Sequence, residues 1–287
     1  MQTPDNSAAP IPRLPRSILY TPAFNLERLM GARESGADVC LIDLEDSVPA
    51  AKKDQAREHC LQLLKVPTSS SRIAVRINEL RSPHGLLDLG AFISQGLAPD
   101  IIMLTMVRDA CELEIVHSLL SSLEREVQLY VTVETMEAID TIDDIASQCS
   151  GLVFGSADFA AELGVDIGWE NMLYARQRIA NAAARYDIAA IDTACYHLDD
   201  PELLLQESQA VKALGFHGKA IVHPRQLATV MDVFTPSAAE LERAREILRR
   251  SKHSNGEIFT LDGDMIGPPF IKKARRLLNN FTQGVHP

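Results

Sequence analysis

Tyr130-Val-Thr-Val-Glu134-Thr135 and Leu152-Val-Phe-Gly-Ser-Ala-Asp158-Phe159 decide how this chain is read. Each is an apolar, β-branched-rich run that stops at a carboxylate, the pattern of a buried strand with a charged C-terminal tip. Glu134 and Asp158 stand 24 residues apart, the length of one strand–helix–strand unit. If the two strands are parallel neighbours, both carboxylates reach the same end of one sheet. Two converging oxygen ligands on a rigid frame suit a hard divalent cation, with Mg²⁺ completing its shell from waters and substrate oxygens. The alternative is that each carboxylate caps the helix that follows its strand.

Working outward, the same alternation recurs along the chain. Strands are predicted at Ser17–Thr21, Val39–Asp46, Arg72–Asn78, Ile101–Thr105, Ile188–Asp192 and Gly218–Pro224, in addition to the two above. Helical spacing covers 25–37, 49–64, 85–95, 110–125, 136–148, 171–186 and 201–214. Eight strands alternating with helices predict a (β/α)₈ TIM barrel over residues 13–235. An open doubly wound sheet would want a glycine-rich turn after its first strand, and the turn there is Thr21-Pro-Ala-Phe-Asn25. Residues 1–12, without a cationic or an apolar segment, are read as a flexible tail and not as a signal peptide.

Residues 236–287 form a C-terminal extension: a charged amphipathic helix over 237–252, a break at Asn255-Gly256, a loop over 259–269 and a basic helix over 271–281. Ile258, Phe259, Met265, Ile266 and Phe270 make this segment too apolar to leave in water. It is expected to cover a barrel mouth, its own or a neighbour's, and hence to go with a homo-oligomer.

The 287 residues are 46% hydrophobic and 23% charged, enough apolar material for a large core and no case for disorder. A formal net charge of −11 argues against nucleic acid and anionic membrane as main partners, and no apolar run approaches the length of a membrane span. The cysteines at 40, 60, 111, 149 and 195 are odd in number and scattered, without a CxxC pair. They read as reduced thiols in a cytoplasmic protein, not as a zinc site or a disulfide framework. Cys195, with His197 nearby, is either a nucleophile or a small buried filler.

Barrel chemistry sits at the C-terminal strand ends. Those tips carry Glu45 and Asp46, Arg76 and Asn78, Glu134, Asp158, Asp192 and His223. So many acids cannot crowd one mouth ionised without cations to offset their repulsion. Arg76 supplies one positive charge and a fork suited to a carboxylate or a developing alkoxide. Its other reading is a salt bridge to Glu45 or Asp46. Asp192 reads alternatively as a loop-capping acid, and His223 as a satisfied histidine ahead of a proline turn.

Several motifs in order resemble the citrate lyase β-subunit-like proteins of the HpcH/HpaI aldolase superfamily. They are Arg16-Ser-Ile-Leu with Pro22-Ala; Asp43-Leu-Glu-Asp-Ser-Val with Lys53 and Ala56-Arg57; and Val75-Arg-Ile-Asn78. Val133-Glu134-Thr, Phe154-Gly-Ser-Ala-Asp158-Phe with Leu163-Gly164, and Gly215-Phe-His-Gly-Lys-Ala-Ile-Val-His-Pro224 complete the set. The resemblance runs from about Arg16 to Leu278. It implies a Mg²⁺-dependent barrel that makes or breaks a carbon–carbon bond beside a 2-keto or 2-hydroxy acid, usually in a CoA thioester such as malyl-, citramalyl- or citryl-CoA. By resemblance, Glu134 and Asp158 match the metal ligands and Arg76 the substrate-polarising arginine. Glu45 and Asp46 match the acidic pair supporting that arginine and the metal waters, and Arg16 and Arg28 lie near the CoA phosphates. Relatives are often trimers.

Three positions depart from the pattern. Thr105-Met106 replaces Pro-Lys after strand four, and Gly31-Ala32 replaces Lys-Ala. In Gly263-Asp-Met-Ile-Gly267, a glycine replaces the aspartate that CoA-dependent relatives donate to a neighbouring subunit as acid/base. Asp264 either substitutes for it or is a solvated loop acid, as is Asp262. Two other readings stay open: an aldolase for a free 2-keto acid without CoA, and a catalytically impaired metal- and keto-acid-binding barrel.

Overall fold

The computed structural model describes residues 13–66, 71–254 and 257–281. Residues 15–234 and residues 235–287 with 1–14 are two compact units. The reading of 1–12 as a flexible tail, and the break at Asn255-Gly256, lie outside the described residues.

The larger unit is a closed barrel of eight parallel strands in the order β1 to β8, with β8 pairing back to β1. In chain order its first half is β1 (Ser17–Pro22), α1 (Leu26–Arg33), β2 (Val39–Asp43), α2 (Lys53–Leu64), β3 (Arg72–Arg76), α3 (Pro83–Gln95), β4 (Ile101–Leu104) and α4 (Cys111–Leu120). The second half is β5 (Gln128–Val133), α5 (Met136–Asp140), α6 (Ile142–Ser147), β6 (Gly151–Phe154), α7 (Ser156–Leu163), α8 (Trp169–Tyr186), β7 (Ala189–Asp192), α9 (Pro201–Leu214), β8 (Gly218–Ile221) and α10 (Leu227–Phe234). Strands β2, β4, β6, β7 and β8 are buried along their whole length. That is why β4 and β6 read as continuous apolar runs and not as alternation, as do β2 and β7 up to their terminal aspartates, while β8 carries the charged Lys219. No helix among the described residues is long and apolar enough to cross a membrane.

Three local features depart from the sequence expectation. The helix expected over 136–148 is broken at Thr141, whose hydroxyl donates to Glu137 O four residues back (2.9 Å) and to Arg108 O (2.8 Å). Such back-bonding competes with the helical ladder. Ser156-Ala-Asp158 does not extend β6 but opens α7, which Gly164 ends in the left-handed conformation at φ 75°. Residues 227–234, unassigned in the sequence, form α10.

The ring closes tightly where β8 meets β1. A Cβ on Gly218 would stand 2.5 Å from the carbonyl oxygens of Pro15 and Arg16, so only glycine fits. Beside it the fully buried Lys219 Nζ donates to Asp192 Oδ2 (2.7 Å) and pairs with Glu207 Oε2 (3.0 Å). Arg176 Nε donates to Asp192 Oδ1 (2.8 Å). Asp192 is therefore not the loop-capping acid expected from its place at a strand end. It bonds β8 and α8 to β7. Burial would raise its carboxyl, but Lys219 and Arg176 hold it below the usual carboxylate range.

The smaller unit contains α11 (Ala238–Ser251), the antiparallel hairpin β9 (Phe259–Leu261) and β10 (Asp264–Ile266), and α12 (Pro268–Phe281). Ser237 and Glu240 form a capping box on α11. Ala244, Ile247, Leu261, Ile266, Ala274 and Leu278 give this unit its own core. The hairpin replaces the expected loop over 259–269. Asp262 in its turn and Asp264 at the start of β10 each accept from Arg243, at 2.7 Å, and both side chains stay largely exposed, in keeping with the solvated reading.

Candidate active site at the barrel mouth

Glu134 follows the last residue of β5 and is buried, 2% exposed. Its Oε1 accepts from the Met106 N–H (2.7 Å) and from the Thr105 hydroxyl in a short bond. Met106 itself takes a left-handed φ of 54°, backbone strain of the sort found at functional sites. Its Oε2 lies against Gly155, where a Cβ would stand 2.5 Å away. Asp158 sits in the first turn of α7, where the helix dipole favours negative charge, and it is exposed at the mouth. The capping reading fails for both acids. Thr135, not Glu134, caps α5 through Ala138 N, and α7 has no side-chain cap.

Both carboxylates line one cavity of about 460 Å³, together with Asp43, Asp46, Arg76 and Tyr20. Burial pushes Glu134 up to about 7, with the two hydrogen bonds and Arg76 opposing and Asp158 adding to the rise. Asp158 is raised by burial and by Asp46. Two acids held up in this way are short of positive charge. The donors are all oxygen, and Gly155 leaves room beside Glu134 Oε2, so the pair fits a hard dication. Among the described residues no three His, Cys, Asp or Glu side chains converge as a metal site.

Arg76 ends β3, in register with Asp43 at the end of β2. Its Nε and Nη2 donate to Asp43 Oδ1 (2.7 Å) and Oδ2 (2.8 Å), a fork-to-fork pair. Its Nη1 stands 3.0 Å from Glu45 Oε2 and 3.9 Å from Asp46 Oδ2. The Glu45 contact is an ion pair without hydrogen-bond alignment, since Oε2 is buried and lacks such a partner. The expected salt bridge of Arg76 is thus made chiefly to Asp43, a residue outside the predicted site. The parallel register was the signal that could have found it. Asp43 also accepts from Glu45 N (3.0 Å) and the Ser47 hydroxyl (2.5 Å). Burial would raise Asp43, but Arg76 and these donors hold it below the usual range. Glu45, with less to offset its burial, is pushed up to about 8.

The acidic loop is held from outside by Lys53, whose Nζ donates to Leu44 O (2.8 Å), Glu45 O (2.9 Å) and Asn78 Oδ1 (2.5 Å). The Tyr20 ring lies under the Arg76 guanidinium at 5.2 Å, a contact the sequence reading missed.

Of the remaining predicted residues, Arg28 is exposed on the first turn of α1, which follows the mouth end of β1. Arg16 is a correction. It precedes β1, at the opposite end of the barrel from the mouth, and its Nε and Nη2 bond Asp38 at 2.8 and 2.7 Å. It anchors the barrel floor and is not near the cavity. His223 caps the turn after β8 by accepting from Arg225 N (3.2 Å). Cys195 is buried, with its thiol raised by burial and by Glu207, and it fits the filler reading. Asp264 is taken up by Arg243, as described.

A closed parallel barrel whose mouth sets two oxygen-donor acids beside an anchored arginine belongs among the α/β barrels equipped to hold a dication next to an anion. Comparison with known proteins narrows this class. The chain belongs to the HpcH/HpaI aldolase/citrate lyase family, whose profile matches residues 16–224. It is 30% identical to the citrate lyase subunit β of Leuconostoc mesenteroides subsp. cremoris, over 93% of each chain. It is 28% identical to the mitochondrial citramalyl-CoA lyase of Mus musculus, covering 93% of this chain and 86% of that one. Among solved structures, the CitE protein of Mycobacterium tuberculosis in complex with magnesium, acetoacetate and coenzyme A is 27% identical. It superposes with a TM-score of 0.74 over 94% of this chain and 99% of that one.

Proposed function

We propose that this chain is a Mg²⁺-dependent carbon–carbon lyase. It cleaves, or in reverse joins, a 3-hydroxyacyl thioester of the malyl-, citramalyl- or citryl-CoA kind into a 2-keto acid and a shorter acyl thioester. The observation carrying this reading is that Glu134, Asp158 and Arg76 line one cavity in a family whose relatives include citrate lyase and citramalyl-CoA lyase.

Glu134 and Asp158 are the residues that would hold Mg²⁺, which supplies Lewis-acid stabilisation of a developing alkoxide. Thr105 and the Met106 N–H occupy Glu134 Oε1 and so leave Oε2 for the cavity. Arg76 polarises the substrate oxygen, and its fixed fork lets it do so without reorganising. Asp43 and Glu45 hold that fork in place, and Asp46 stands at the exposed rim, 3.9 Å from it, where it would support the waters of a bound Mg²⁺. Arg28, exposed on α1, contacts the CoA phosphates. A homo-oligomer, a trimer by resemblance, is supported by Ile258, Met265 and Phe270, which are 60%, 68% and 50% exposed on the smaller unit. Free cysteines at 40, 60, 111, 149 and 195 support a cytoplasmic setting.

The test is to supply malyl-, citramalyl- and citryl-CoA with Mg²⁺ and to follow keto acid release. Release that chelation abolishes and Mg²⁺ restores is expected. Glu134→Gln should lower it by roughly 10²–10³-fold, the scale for one oxyanion donor. Gly31 and Gly267 favour a second reading, an aldolase that needs no CoA. Release from a free 4-hydroxy-2-keto acid and from none of the thioesters would establish it. Silence with both substrate types, with Mg²⁺ and keto acid still binding, would establish the impaired barrel.

A further inference from the structure

Breaking the carbon–carbon bond leaves its electron pair on the α-carbon of the acyl thioester, as an enolate that must take up a proton. On the lyase reading above, one side chain of the cavity has to give that proton. The acids of the lining are taken up: Asp43 and Asp46 face Arg76, and Glu134 and Asp158 face the cation site. Arg76 keeps its protons, and no lysine, histidine or cysteine is among the lining residues. The hydroxyls remain, on Tyr20, Thr21, Ser47, Thr132, Thr193 and Tyr196.

Most of these are unsuited. Ser47 donates to Asp43 Oδ2 (2.5 Å), and Thr193 shares a hydrogen bond with Ser156 (2.8 Å). An aliphatic hydroxyl is in any case a far weaker acid than a phenol, which sets Thr21 and Thr132 aside too. The Tyr20 hydroxyl donates to Met103 Sδ (3.2 Å), its ring lies under Arg76, and burial pushes its phenol up. Tyr196 is left. It stands between β7 and α9, among the loops at the mouth. It is 51% exposed, while Ala194 and Cys195 before it are buried. Gln226 Nε2 donates to Cys195 O (2.8 Å), which fixes the backbone that carries the ring. A CoA arm, with its pantetheine chain and nucleotide, is too large for a cavity of about 460 Å³. The thioester therefore leaves through the mouth, past the exposed part of the lining where Tyr196 stands with Val222. The same exposure lets water restore a proton to the ring oxygen.

We propose that Tyr196 is the general acid that protonates the thioester enolate, and the base of the reverse reaction. The substrate hydroxyl gives its proton to water at the open mouth, and the carbon–carbon bond breaks as the keto acid's carbonyl forms. The pair left on the α-carbon takes the Tyr196 hydroxyl proton, and the phenolate recovers one from water, so protons balance. Tyr196→Phe removes only the hydroxyl. In the Mg²⁺-loaded protein it should lower kcat for malyl-, citramalyl- or citryl-CoA by about 10²–10⁴-fold, the span of general acid catalysis. Calorimetric binding of Mg²⁺ and of pyruvate should stay within about threefold of wild type, as for a group that acts only on the transferred proton. Exchange of the acetyl-CoA methyl protons into D₂O, followed by NMR with Mg²⁺ and oxalate (a keto acid surrogate that cannot condense), should be catalysed by wild type and lost in the variant.

A Tyr196→Phe protein that keeps both kcat and exchange overturns the inference and leaves the lyase reading standing. Loss of Mg²⁺ or pyruvate binding along with kcat also overturns it, since the hydroxyl would then be a ligand contact. Wild-type exchange that the variant loses, without cleavage of any thioester, sustains the role of Tyr196 and sinks the lyase reading. Neither cleavage nor exchange by the wild type overturns both.

Discussion

Gly155→Ala isolates the space beside Glu134. The added methyl would stand 2.5 Å from Glu134 Oε2, 2.6 Å from its Cβ and 2.8 Å from Thr132 Cγ2. Glu134 cannot retreat freely, because Oε1 is held by Thr105 and the Met106 N–H. Overpacking of this kind costs typically about 1–3 kcal/mol. If the strain is relieved by turning Oε2 away from the cavity, the same energy is lost from metal binding, roughly 5- to 150-fold in Kd. The assay is Mg²⁺ titration by calorimetry, or Mn²⁺ by electron paramagnetic resonance, on variant and wild type, with circular dichroism to show that both are folded. A folded Gly155→Ala protein that binds the cation as the wild type does would refute the placement of Glu134 Oε2 as a ligand.

Other perturbations separate the site from the frame. Arg76→Lys removes the fork-to-fork pair with Asp43 and should cut kcat/KM by at least tenfold in a thioester assay, while Mg²⁺ affinity stays within a factor of three. Lys219→Met leaves the buried Asp192 with Arg176 alone and the half-buried Glu207 without its lysine. It should destabilise by about 3–5 kcal/mol in urea titration without shifting Mg²⁺ affinity. Glu45 titrates near 8 in the folded protein because of its burial, above its unfolded value. The stability from its protonated form is therefore complete below the unfolded value and is lost as pH rises through about 8. Thermal melts of metal-free protein from pH 5 to 9 should fall less steeply with pH in Glu45→Gln than in wild type, and parallel curves would refute this. In Gly267→Asp the added Cβ would meet nothing nearer than Ile258 Cγ1 at 3.6 Å, but the position is buried, so an unpartnered carboxylate there should destabilise by about 1–3 kcal/mol in urea titration.

The barrel was legible because strand and helix periods alternate without interruption and a fully buried strand leaves an unbroken apolar run. The strand tips were legible for the same reason, and they brought Glu45, Asp46, Arg76, Glu134 and Asp158 to one mouth. What failed to show depends on register and direction. Asp43 reads in sequence as one more acid of an acidic end; only its place opposite Arg76 across β2 and β3 shows it as the arginine's chief partner. Arg16 belongs to a recognisable motif, but the motif straddles a strand start, so its arginine falls on the barrel floor. Asp192 ends a strand like the functional acids, yet its side chain meets α8 and β8, not the cavity. Helix α7 was hidden because Ser156-Ala-Asp158-Phe is apolar enough to pass as strand. The left-handed cap at Gly164 was the available cue.

The Ser17↔Lys219 pairing joins the first strand to the last across some 200 residues of chain. A nascent polypeptide released from the ribosome only as far as β7 therefore presents an open-edged sheet, with Asp192 lacking its lysine and β1 lacking a neighbour. Its unpaired edges invite association with other chains. The hazard ends only once Gly218 slots against the Pro15 and Arg16 carbonyls, which makes the eighth strand the point at which synthesis turns an aggregation-prone intermediate into a sealed fold.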